Sequence, residues 1–231
     1  MSDHTVKAFD ADFAKLAQLI AELRERVEKE LKDAVEALIR NDDKLVKAVL
    51  VIDESAAATC RDIEANVILL IARRQPVAHD LRFIVAVWET AIELNRVSGI
   101  ARSIAKRAAT LGVHPFGQSA WALRRITHAA LRRLREVVDS LVFRDAPKTG
   151  GLARSENEID LVYSSVCREL LTYMMADPST SPSVIQLLFS AKSIESIGDN
   201  VTNIADAVHY FAHGQRLSGA VERVPDALVS H

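Results

Sequence analysis

Glu195, Asp199, Asn203 and Asp206 recur at three- and four-residue steps along SAKSIESIGDNVTNIADAVHYF, Ser190 to Phe211, where side chains of this type at this spacing either hold a cation or face water. Glu195 and Asp199 stand one helical turn apart on one face, where like charges cost an isolated helix roughly 0.2–0.5 kcal/mol. They do not support the helix that carries them, so water or a bound cation must compensate their charge. The opposite side of the same stretch is apolar. Ile194, Ile197, Val201, Ile204, Ala205 and Val208 follow the period of a buried helix face. One stripe packs, and the other is available for chemistry.

The elements that position this stretch are helices. The chain has 231 residues, 49% of them hydrophobic and 26% charged, which suffices for one large or two small soluble domains. Eight Gly, six Pro and only 5% aromatics leave few turn and strand formers, and the abundant Ala, Leu, Val, Glu and Arg predict an all-α fold. A net charge of −2 gives no global attraction to nucleic acid. Two cysteines, Cys60 and Cys167, lie inside helical patterns without Cys-x-x-Cys spacing and read as buried free thiols. MSDHTVKAFDADF lacks a basic-then-apolar leader, and no apolar run approaches the ~18 residues of a membrane span, so a cytoplasmic location is expected.

After a polar lead, Phe9, Phe13, Leu16, Ile20, Leu23, Val27, Leu31, Val35 and Leu38 predict a long first helix. Asn41, Asp42 and Asp43 can cap a second, which carries Val46, Val49, Ile52, Ile63, Val67, Leu70 and Ile71 up to Pro76. A third begins near Ala78, with Asp80 as a candidate cap, and carries Leu81, Ile84, Val85, Trp88, Ile92, Val97, Ile100 and Ile104. Glycine and proline cluster in LGVHPFGQS, which places a boundary at about residue 115. The order then repeats: a fourth helix from about Ala120 to Arg144, the turn PKTGG, a fifth from about Leu152 to Met175, the break DPSTSPS, and the sixth already described. The expected domains are 1–115, 116–214 and a flexible tail over 215–231. An offset of 100 residues superposes Leu94 on Ile194, Val97 on Ile197, Ala101 on Val201, Ile104 on Ile204 and Ala105 on Ala205, an internal repeat. The acidic positions do not repeat: Glu195, Asp199 and Asn203 face Asn95, Gly99 and Ser103.

ARRQPVAHDLR (Ala72 to Arg82), SIESIGDNVTNIA and LLTYMMAD (Leu170 to Asp177) resemble the PhoU family across nearly the full length of the chain. The resemblance implies two tandem three-helix bundles with pseudo-twofold symmetry, six long helices in all. It implies regulation rather than catalysis: repression of the phosphate-starvation response and of phosphate uptake when phosphate is plentiful. The implied partners are a PhoR-type sensor histidine kinase and the Pst ABC transporter with its PstB-type ATPase, with peripheral membrane association through them and a homodimeric state. Family members carry two Glu/Asp-x-x-x-Asp motifs per repeat, and some hold iron, zinc, manganese or related metals there. Here Glu156 and Asp160 match one motif and Glu195 and Asp199 the other. Such hard oxygen ligands suit magnesium, manganese or iron. Asn203, one turn beyond Asp199, can add a carbonyl ligand or orient a carboxylate. The first repeat departs from the pattern, with Asp53 followed by Ala57 and the other motif replaced by Asn95 and Gly99, so a metal is expected in the second repeat only.

Arg73, Arg74 and Arg82 belong to the family signature, and Arg124 and Arg132 to a basic amphipathic fourth helix. All five are candidates for partner binding, against the plainer reading of caps, salt bridges and a solvated face. His209 and His213, four apart, either ligate a metal or complement a helix C-terminus. Two other function classes compete. A di-metal carboxylate oxidase needs Glu-x-x-His pairs, and the sequence has none. An oligomeric helical scaffold would leave the acidic patches merely solvated. No phosphate-binding glycine loop or nucleophile elbow is present, which leaves nucleotide hydrolysis without a basis.

Overall fold

The computed structural model describes residues 2–110, 119–144 and 156–217, with the side chains of 2–10, 119–120 and 156–158 excepted. The expected boundary near residue 115, the PKTGG turn and the tail beyond residue 217 lie outside the described residues. Long helices carry the fold: α1 Ser2–Arg40, α2 Asp43–Arg74, α3 Ala78–Thr110, α4 Ser119–Val142, α5 Glu156–Ala176, a 3-10 turn Pro178–Thr180, α6 Ser181–Glu195 and α7 Ile197–His213. α1, α2 and α3 pack as one bundle and α4, α5 and the α6–α7 pair as the other. The two bundles join through α3 on α7 and α1 on α4.

Local chemistry sets the ends. Asp42 caps α2 by accepting from Lys44 N at 2.8 Å and Leu45 N at 3.3 Å, which satisfies donors that the first turn leaves open. Gln75 takes the left-handed conformation (φ 48°, ψ 54°) before Pro76, and its N–H closes α2 onto Ile71 O. Asp80 is the third residue of α3 rather than its cap, and there its charge complements the helix dipole. α1 starts at Ser2, so the polar lead is itself helical.

The sixth helix is interrupted at Ser196, between Glu195 and Asp199. Ser196 keeps right-handed dihedrals (φ −62°, ψ −11°), its N–H still reaches Lys192 O, and its Oγ donates to Ser193 O at 2.9 Å. A serine bonding to its own helix backbone weakens the ladder locally without ending the rod.

The core follows the apolar stripes: Leu16, Ile20, Leu23, Val27 and Leu31 of α1, Leu94 and Ile104 of α3, Leu123 and Leu134 of α4, and Ile194, Ile197 and Ile204 of the sixth helix are fully buried. Each such side chain contributes roughly 1.5–3 kcal/mol of transfer free energy. On α3 the buried face turns out to be Phe83, Ile84, Val87, Ala91, Leu94 and Val97, and it leaves Leu81, Trp88 and Ile92 exposed. Small alanines and Thr90 on the inward side let α1 and α7 approach from two directions, which the bulky residues alone did not reveal. Ile71 is likewise exposed, and both cysteines are free but only half-buried.

Phe211 near the end of α7 packs edge-on against Phe83 (centroids 5.4 Å), which touches Phe13 of α1 (5.2 Å), and the Arg144 guanidinium lies over both Phe13 and Phe83. The first residues of the stretch read as a tail are tied down here. Arg216 ion-pairs with Glu89 at 2.5 Å and Asp206 at 2.9 Å, and Leu217 N donates to Asp206 at 2.7 Å.

Candidate functional site

α5 and the sixth helix bring Asp160, Glu195 and Asp199 around a single ammonium, that of Lys192. Its Nζ donates to Glu195 at 2.8 Å and feels the charges of Asp160 and Asp199. The hydrogen bond with Glu195, ahead of the attraction of the three carboxylates, raises the Lys192 pKa above its ordinary value. The same ammonium lies 5.5 Å from the centre of the Tyr163 ring. Burial first, and then the hydrogen bond with Cys167, push the Tyr163 hydroxyl upward as well. Asp160, Asp199 and Asn203 are exposed, whereas Glu195 is half-buried. Glu156 opens α5, but its side chain lies outside the described residues. Among the described residues no three His, Cys, Asp or Glu side chains converge closely enough to hold a metal ion. The positive charge at this face is the protein's own.

The first repeat reaches the same balance with different residues. Arg102 of α3 donates to Asp53 of α2 at 2.9 and 3.3 Å, and Ser98 Oγ lies 3.2 Å from Asp53 Oδ1 and 2.5 Å from Glu30 Oε2 of α1. Glu30 is fully buried, and its Oε1 has no hydrogen-bond partner among the described residues. Burial, the largest influence, pushes its carboxyl up to about 8, against the opposing pull of Ser98. A guanidinium therefore stands at one acidic face and an ammonium at the other.

The basic candidates fall into two groups. Arg124 forks onto Glu36 of α1 at 2.6 and 2.9 Å, and this holds the Glu36 pKa below its ordinary value. Arg74 pairs with Asp12 at 3.2 Å, and Arg82 donates to Phe211 O at 3.2 Å, capping α7 from the other repeat. These three hold the protein together. Arg73 is exposed beside Asp12, Lys15 and Asn66, and Arg132 is exposed along a groove of about 460 Å³ between α1 and α4, which Lys32, Arg124, His128 and Arg135 also line. These two remain accessible from solvent. The rings of His209 and His213 stack at 4.3 Å, with His213 Nδ1 3.2 Å from His209 O, the helix-end arrangement.

Sequence reasoning missed Lys192, Arg102 and Glu30. The first is legible in retrospect as a cation three residues before Glu195. The other two meet Asp53 only through tertiary packing. No described helix is long and apolar enough to cross a membrane.

A family model described as "PhoU domain" matches residues 20–108 and again 123–208. The phosphate-specific transport system accessory protein PhoU homolog of Rhizobium meliloti (strain 1021) is 37% identical over 98% of this chain and 95% of its own length. The protein of the same description from Caulobacter vibrioides (strain NA1000 / CB15N) is 35% identical over 94% of this chain and 95% of its own. Among solved structures, PhoU from Pseudomonas aeruginosa superposes with a TM-score of 0.79 at 32% identity, covering 90% of this chain and all of that one.

Proposed function

The chain belongs to the PhoU family, and on that premise we propose that it is a negative regulator of the phosphate-starvation response and of phosphate uptake. It acts by binding rather than by catalysis, as a cytoplasmic adaptor, homodimeric, between a Pst-type phosphate transporter with its PstB-type ATPase and a PhoR-type sensor histidine kinase. The observation that carries this reading is the end-to-end match, in both repeats, to relatives described as accessory proteins of phosphate-specific transport. The surface agrees with a protein that works by docking. Leu81, Trp88 and Ile92 on α3 and Ile185 and Phe189 on α6 leave large apolar side chains in solvent.

A divalent or trivalent cation (magnesium, manganese, iron or zinc) on the second repeat belongs to the same reading. Asp160, Glu195 and Asp199 supply hard oxygens in the neighbourhood of Lys192, with Glu156 and Asn203 at the flanks, and a cation binding there has to draw together carboxylates that do not converge on one point among the described residues. A metal binding there takes the place of the ammonium.

Alkaline phosphatase output in phosphate-rich medium tests the regulatory reading. Deleting the gene raises the output and a plasmid copy restores repression. An unchanged output in the deletion strain, with no second family member present, would remove the proposed role and leave the fold untouched.

A further inference from the structure

One hydroxyl stands between two carboxylates at the centre of the first repeat. Ser98 Oγ is 2.5 Å from Glu30 Oε2 and 3.2 Å from Asp53 Oδ1. A serine hydroxyl has a single proton to donate and otherwise accepts. It cannot serve two ionised carboxylates, so one of the two contacts requires a proton from the acid. Asp53 already accepts twice from the Arg102 guanidinium and is the acceptor end of the chain. Glu30 has no cation against it, is fully buried, and leaves Oε1 without a partner among the described residues. An ionised carboxylate in that position would be a desolvated, half-satisfied charge, which proteins avoid by neutralising the group. The charged groups that face Glu30 are Asp53 from α2, which repels its anion, and Arg102 from α3, which lies on the far side of Asp53 and attracts it more weakly.

We infer that Glu30 is a proton-binding site built into the first repeat: its carboxyl donates to Ser98 Oγ, Ser98 donates to Asp53, and loss of the proton places a buried negative charge beneath the Arg102–Asp53 pair. The link ties α1, α2 and α3 at one point. While the proton is bound, Arg102 and Asp53 balance and the face is neutral. On its release the face gains a negative charge, and the contact between α1 and the other two helices weakens. Because Glu30 sits near pH 8, the change falls close to neutral pH. The first repeat thus holds a proton, in its interior, where the second offers carboxylates at its surface.

The test uses the full chain. With glutamate side-chain carboxyls labelled with carbon-13, the Glu30 resonance is assigned sequentially and followed from pH 5 to 9.5. It titrates near pH 8; titration in the ordinary range near 4.5 overturns the inference. Glu30→Gln supplies the second arm, because an amide donates to Ser98 as the protonated acid does but cannot ionise. The native acid keeps its proton far above the pH at which the unfolded chain loses it, so native protein binds more protons than unfolded between about pH 4.5 and 8. Stability of the parent chain therefore falls as pH rises through that window and levels off above it. The ratio of the parent's folding equilibrium constant to that of Glu30→Gln falls by up to about tenfold per pH unit between pH 5 and 8, read by urea unfolding. A ratio independent of pH across the window overturns the inference. Should the variant fail to fold, the resonance of the parent protein still decides.

Discussion

Asn200 of α7 donates through Nδ2 to Oε2 of Glu93 on α3 at 2.8 Å, and both side chains are buried. The bond crosses from one repeat to the other, near the middle of the surface on which they meet. Glu93 Oε1 is met by Arg96 at 2.7 Å, so each carboxylate oxygen has a donor.

Replacing Asn200 by Ala strands one oxygen of a buried carboxylate. The expected loss is about 1–3 kcal/mol of unfolding free energy, measured by urea denaturation at pH 7. A loss under about 0.5 kcal/mol, the range of ordinary surface changes, would mean that the bond does not couple the repeats.

The fork between Arg124 and Glu36 makes an acid-sensitive strap between α4 and α1. The Arg124 hydrogen bond depresses the Glu36 pKa, so the pair's stabilisation is present above the unfolded carboxylate value of 4.5 and disappears as pH falls below it. Arg124→Ala is therefore less stable than the parent at pH 7, and the gap closes as the pH is lowered towards 3. Unfolding midpoints of the two proteins at four or five pH values give the comparison; a constant gap contradicts the assignment.

On the proposed reading of a metal at the acidic face of the second repeat, elemental analysis finds metal in the parent chain, and Glu195→Ala combined with Asp199→Ala loses it while retaining helical content. Lys192→Met has the opposite effect. Removing a competing unit charge at about 4 Å is worth about 1 kcal/mol in water, so manganese binds roughly fivefold more tightly by calorimetry. Equal affinity in parent and variant shows that the ammonium and the metal do not share the position.

Arg73 and Arg82 separate docking from stability. Arg73 is exposed, so Arg73→Glu leaves the thermal midpoint within about 2 °C and raises alkaline phosphatase output in phosphate-rich medium. Arg82→Ala removes the donor to Phe211 O near the end of α7, so stability and repression fall together. If Arg73→Glu represses normally, that arginine has no part in partner binding.

The helices and the repeat were legible because a period of 3.6 residues is written into single segments: Leu16 to Leu38 of α1 and Ile194 to Val208 of the sixth helix bury as their spacing predicts. The break at Ser196 was not, since a serine inside a helix reads as tolerated until its hydroxyl is seen on Ser193 O. The exposed positions on α3 were misjudged for a related reason. Trp88 and Ile92 fit the helical period as well as Val87 and Ala91 do, and only the approach of α1 and α7 decides which set is inside. At the candidate site the carboxylates were visible, but their counter-charges were not. Arg102 is 49 residues from Asp53, and Glu30 is 68 from Ser98, separations at which one sequence offers no pairing rule.

Among the polar ties between the repeats, those of Arg82 to Phe211 O, Glu93 to Asn200 and Arg107 to Ser193 stand at well-separated heights along α3. The residues on α3 span about 37 Å at 1.5 Å per residue, and their partners run in the opposite order along α7 and α6. Bending the molecule at the seam would stretch one end of this row while compressing the other. In mechanical terms the protein is a strut, and anything seated on one repeat is held at a set distance and angle from anything seated on the other. A push delivered at either end arrives at the far end as displacement.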